Sequence, residues 1–189
     1  MHIVRDPFPG PANRKVGDVI SPPPRIRMLV CGNVDRADDG AAIWAVSHIL
    51  PEASTDGLLP GIDLRRCGQL EVEDLIDAAG EASLLIVDAA VGVPAGRVTT
   101  LTFDELLART SSAAPRSSHS LPIDQVIGVA RQLSEAPIDG LFVGIGAADL
   151  SFSPSLSRQV REGMGEFVVA IEKALMSLAS KTAPAAGRA

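Results

Sequence analysis

Five short apolar runs, separated by stretches with helical periodicity, constrain this chain more than any other feature. The runs are Ile26 to Cys31, Ile62 to Cys67, Leu84 to Asp88, Arg97 to Phe103 and Leu141 to Ile145, each bounded by glycine, proline or charge. Between them, Gly40 to Leu50 is apolar nearly all round, which predicts a well-buried helix, while Glu71 to Ala79 and Asp104 to Arg109 predict short ones. In the segment "PIDQVIGVARQL", Ile123, Val126, Ile127, Ala130 and Leu133 share one helical face, and Pro122 suits the first turn. The last helix shows a stripe from Leu156 through Val160, Met164, Phe167 and Ile171 to Leu178, with Ser153 placed to cap and Pro154 at the first position. Strands that are apolar throughout and alternate with amphipathic helices predict an α/β three-layer sandwich. Its central sheet should be largely parallel, with about five strands and helices on both faces.

At 189 residues the chain suits one such domain. Residues 1–24, with six prolines, read as an irregular extension holding at most a short edge segment at Val16 to Ile20. The domain is expected over 25–179, followed by a frayed tail at 180–189. A net charge of −6, five Phe, one Trp and no Tyr argue against a nucleic-acid binder, which needs clustered cations and stacking rings. No apolar run approaches the roughly 20 residues of a membrane helix, because Asp88 interrupts the best one. The start, "MHIVRDPFPGP", has charges and prolines where a signal peptide would be apolar, so a cytoplasmic protein is expected. In that reducing setting Cys31 and Cys67 are expected to be two inert, partly buried thiols, although both sit near strand ends and could be close.

In folds of this kind ligands gather beyond the carboxyl ends of the strands. Three segments put ionisable side chains there: "CGNVDRADDG", "LLIVDAAVG" and "RSSHSLP". Taken singly, each has a plain structural explanation. Asp38 can cap the helix that follows, where the helix dipole favours anions. Asp88 can cap a turn, though a carboxylate leaving an apolar strand is costly without compensation. His119 can simply be solvated. Two adjacent side chains cannot both cap well, however, so Asp39 is free to point elsewhere. Together, Asp39, Asp88 and His119 make a plausible open site for a divalent transition metal. Zinc-type Cys and His spacings, a G-x-S-x-G elbow and a G-x-G-x-x-G fingerprint are all absent.

From about Ile26 to Met176 the ordered blocks resemble the hydrogenase maturation proteases, which trim the C-terminal peptide from the large-subunit precursor of [NiFe]-hydrogenases. The block "GNVDRADDG" resembles the family's Gly-Asn turn and acidic pair, and "LLIVDAAVGVPAGRV" its strand, Asp-Ala and Pro-Gly turn. The blocks "SSHSLPIDQVIGVA", "LFVGIGA" and "SPSLSRQV" resemble its Ser-x-His block, its Val-Gly-Ile strand and the start of its last helix. The resemblance implies that Asp39, Asp88 and His119 contact nickel already installed in the precursor and carry catalysis. The nickel would then belong to the substrate. No organic cofactor is implied, and another divalent ion could fill the site in isolation. Gly32, Asn33, Asp38, Arg66, Cys67, Gly68 and Gln69 become candidates for substrate contact, with Arg66 to Gln69 replacing the family's Asp-Gly-Gly-Thr-like turn. The implied partner is the precursor, with no nucleic acid or membrane, and the protein is expected to be a monomer. The alternative is a chaperone that docks on the metallated large subunit without cutting it.

Overall fold

The computed structural model describes residues 26–49, 57–59, 61–109 and 121–182; the Val16 to Ile20 segment and His119 lie outside these. The five anticipated strands are all present: β1 (Ile26–Cys31), β3 (Ile62–Cys67), β4 (Ser83–Ala90), β5 (Val98–Thr102) and β6 (Gly140–Gly146). A sixth, β2 (Gly57–Leu59), adds a three-residue edge. The sheet order is β2-β3-β1-β4-β6-β5, with β3, β1, β4 and β6 mutually parallel and both outer strands antiparallel.

Alternation along the central strands splits the core in two, because successive side chains leave opposite faces of a sheet. Met28 and Val30 of β1, Leu85 and Val87 of β4, and Val143 and Ile145 of β6 pack with helices α1 (Ala41–Ile49) and α5 (Arg158–Thr182). Leu29, Leu84, Ile86 and Phe142 face the other way, toward α2 (Val72–Ile76), α3 (Phe103–Ala108) and α4 (Ile123–Leu133). The result is a helix layer on each face. The turn into α3 shows how closely the chain is punctuated: the Thr102 hydroxyl accepts the Glu105 N–H at 3.2 Å, while the Glu105 carboxylate accepts the Thr102 N–H at 2.8 Å.

Two helices differ from expectation. Helix α1 buries Ala41, Ala42, Ala45 and Val46, but Trp44 stays 51% exposed. It overhangs a groove of about 380 Å³ shared with His48, Leu156, Met164, Gly165 and Val168, because α1 and α5 lie side by side on one face without closing over each other. Helix α5 begins at Arg158 rather than at Pro154, and runs on to Thr182, past the expected domain end at residue 179. Ser153 does not cap it. Its N–H donates to the Asp35 carbonyl and its own carbonyl accepts from Ala37, so this stretch is tied to the acidic turn after β1 instead. Ser157 starts the helix, its hydroxyl accepting the Val160 N–H at 3.3 Å. Among the described residues no helix is long and apolar enough to cross a membrane.

Candidate functional site

The carboxyl ends of the four parallel strands converge on one edge, and the loops leaving β1, β4 and β6 are interlocked there. Strand β1 is followed by Gly32, whose N–H donates to the carbonyls of Cys67 and Gly68 at 3.1 and 3.3 Å. Gly32 has φ of 111°, and a Cβ built on it would collide with the carbonyl oxygen of Asp39. Only glycine lets the chain double back so that Asp39 returns over the strand end. Gly32 is therefore buried and structural. The Asn33 side-chain oxygen accepts the Asp35 N–H at 2.8 Å. Ala37 then takes a left-handed conformation, with φ of 43°, as the chain enters the 3-10 turn Ala37–Gly40. A non-glycine residue there costs about 1–2 kcal/mol, which the surrounding hydrogen bonds must offset.

The two aspartates of this turn part company. Asp38 is fully buried. One of its oxygens accepts the N–H groups of Ala148 and Asp149 at 2.8 and 2.9 Å, and the other accepts the N–H of Ser157 at 2.6 Å. It does not cap α1, as its position before that helix suggests. It holds the β6–α5 loop, because three convergent N–H groups satisfy a buried carboxylate better than one helix end can. That burial also leaves Asp38 no surface to offer a substrate. Asp39 is half-buried and makes no such commitment. Burial raises its pKa above the ordinary carboxylate range, opposed by the Arg36 guanidinium and the Asn33 N–H.

Asp88 lies near the C-terminal end of β4 and is half-buried. Desolvation pushes its pKa up to about 7; the Ala89 N–H, donating at 2.7 Å, pulls it down, and the negative charge of Asp39 raises it further. The charge of Asp39 therefore reaches Asp88 across the ends of the neighbouring strands β1 and β4. A carboxyl titrating near neutrality can exchange a proton with substrate or water at working pH. Ionised carboxylates are hard oxygen donors of the kind divalent cations take.

On the same sheet face, Cys31 and Cys67 are register partners on neighbouring strands and both thiols are free and buried. A hydrogen bond to Cys67 is the main reason the Cys31 thiol is held well above its usual pKa, with burial and the charge of Asp88 adding to it. Such thiols are poor nucleophiles. Beyond Cys67, Gly68 and Gln69 are exposed at the end of β3 and Arg66 is half-buried, so the solvent-facing part of this turn is Gly68–Gln69. Among the described residues no group of three His, Cys, Asp or Glu side chains is placed to hold a metal. The third anticipated ligand, His119, is outside them. Sequence reasoning missed Arg36, which tempers Asp39 and reaches the Leu150 carbonyl through Nε and Nη2 at 3.4 and 3.3 Å, and the whole 147–157 loop that locks the acidic turn in place. The small, polar composition of "GAADLSFSPS" after β6 was the available signal.

The model of the hydrogenase maturation protease family matches residues 67–174, more than half of the chain. The chain belongs to that family. The matched span includes Asp88 and the position of His119 and begins after Asp39. The fold is similar to that of the hydrogenase maturating endopeptidase HybD from E. coli, with a TM-score of 0.64 and 24% identity over 81% of this chain and 93% of that one. It is also similar to the [NiFe] hydrogenase maturation protease HybD from Thermococcus kodakarensis, with a TM-score of 0.53 and 27% identity over 79% and 97% of the two chains. A third likeness is to the maturation protease HycI from Thermococcus kodakarensis KOD1, with a TM-score of 0.55 and 21% identity over 84% and 97%. No curated protein matches the chain significantly in sequence. As a member of the hydrogenase maturation protease family this protein is a hydrolase, and Asp39 and Asp88 stand where a three-layer α/β fold offers its ligands a site.

Proposed function

We propose that this protein removes the C-terminal peptide from a [NiFe]-hydrogenase large-subunit precursor after nickel has been inserted, with Asp39, Asp88 and His119 contacting the metal. The observation that carries this reading is the family match, supported by Asp39 beyond and Asp88 near the ends of neighbouring parallel strands at the same side of the sheet, where the charge of Asp39 raises the pKa of Asp88. Two half-buried acids with raised pKa values would gain from receiving a cation. Two weakly restrained oxygens can occupy open positions on a partly exposed nickel without extracting it, as suits a metal that belongs to the substrate. Docking of that metal would fix the nearby peptide segment over the site, and Asp88 would exchange the proton that hydrolysis requires. The protein would work in the cytoplasm as a monomer without an organic cofactor; in isolation its acidic pair could take up another divalent ion.

The test uses purified precursor with and without nickel, followed by intact mass. Conversion of only the nickel-containing form to a shorter species is expected. Equal cleavage of both forms would refute the metal-recognition step, and cleavage of neither would remove the precursor as substrate.

A further inference from the structure

The rim of the site carries an aromatic side chain that neither the fold nor the acidic pair uses. Phe152 is 85% exposed, at the tip of the loop between β6 and α5. A phenylalanine left in water forgoes a large burial gain, and a slack loop would normally fold it back. This loop cannot do so. The Ser153 N–H donates to the Asp35 carbonyl at 3.0 Å and the Ala37 N–H to the Ser153 carbonyl at 2.6 Å, forming a parallel bridge between Arg36 and Ser153. Asp38 clamps both ends of the same loop at Ala148, Asp149 and Ser157.

That bridge also sets the company Phe152 keeps. Its register brings Phe152 alongside Asp35, next to Val34, which is 38% exposed. Where β4 ends, the Ala90 carbonyl accepts the Ala147 N–H at 3.1 Å, and the next residue, Val91, is 51% exposed. Three apolar side chains from three loops therefore stand on the sheet edge that holds Asp39 and Asp88. Scattered apolar residues on a surface need no explanation, but three left exposed on hydrogen-bonded loops at the same strand ends as the acidic residues do.

We infer that Phe152, with Val34 and Val91 exposed on the neighbouring loops, is an apolar anchor on which the precursor's polypeptide seats an apolar stretch, aligning the segment to be cut with Asp39 and Asp88. This rests on the protease reading above. The anchor lies on the rim the precursor must approach to reach the acidic pair, and it bears no charge of its own. It therefore contributes affinity by burial, and its contribution should be insensitive to salt.

The experiment measures steady-state cleavage of the nickel-loaded precursor by the wild type, Phe152→Ser and Phe152→Leu at low and high salt. Phe152→Ser should raise KM roughly 10-fold to 100-fold, with kcat and thermal stability unchanged and the effect equal at both salt concentrations. Phe152→Leu should restore most of the loss. An unchanged KM, a fall in kcat alone, or an effect abolished by salt would overturn the anchor. If the wild type cuts no precursor, the protease reading fails by itself. The anchor is then read from direct binding of nickel-free precursor, where equal affinity of wild type and Phe152→Ser would overturn it.

Discussion

Removing the Asp38 carboxylate should cost more stability than any other single change in the acidic turn. Asp38 accepts three backbone N–H groups, at 2.8, 2.9 and 2.6 Å, and is fully buried. Hydrogen bonds to an ionised group contribute about 1.5–3 kcal/mol each, giving a gross loss of about 5–9 kcal/mol for Asp38→Ala. Ala148 and Asp149 are exposed residues whose N–H groups can recover water once the side chain is gone, whereas Ser157 is half-buried. The net cost is therefore about 3–5 kcal/mol, a large share of the roughly 5–15 kcal/mol that a domain possesses. Asp38→Asn keeps one acceptor oxygen. Placed toward Ala148 and Asp149 it preserves two bonds and sets an amide against the Ser157 N–H, so about half that cost is expected. Urea unfolding followed by circular dichroism should show midpoints falling in the order wild type, Asn, Ala at constant m. Asp39→Ala should leave the midpoint at or above wild type, because burial already disfavours the Asp39 charge. An Asp38→Ala unfolding free energy within about 0.5 kcal/mol of wild type, the scatter typical of surface changes, would refute the clamp.

Other perturbations separate structure from chemistry. The folded pKa of Asp88, about 7, lies above the unfolded value, so its contribution to stability is fully present below about pH 4 and is lost as pH rises through 7. Asp88→Asn should accordingly stabilise the metal-free protein by up to about 4 kcal/mol at pH 8 and by less at pH 5 while abolishing cleavage; a gain independent of pH would contradict the raised pKa. Gly32→Ala should abolish cleavage and lower the melting temperature, since the added methyl meets the Asp39 carbonyl; wild-type activity would disprove that packing. Cys31 and Cys67 should resist alkylation in the native protein and react only on unfolding, and rapid native labelling of Cys31 would contradict its burial and its bond to Cys67.

What the sequence determined by itself was local. Burial periodicity is written in side chains a few residues apart, so the five main strands, the layered architecture and the positions of Asp39 and Asp88 at strand ends were legible without coordinates. The short strand β2 was not, because three residues are too few to show a period. What only the tertiary structure decided were pairings between segments far apart along the chain. The partners of Asp38 lie 110, 111 and 119 residues away, so nothing near Asp38 distinguishes a loop clamp from a helix cap. The same separation hid the late start of α5, since Ser153 was drawn to Asp35 and Ala37 rather than to its own helix. The meeting of Cys31 with Cys67 required the β1–β3 register, and the exposure of Trp44 required the placement of α5 beside α1. A carboxylate shows its chemistry in the sequence; which N–H groups it meets depends on where the fold returns the chain.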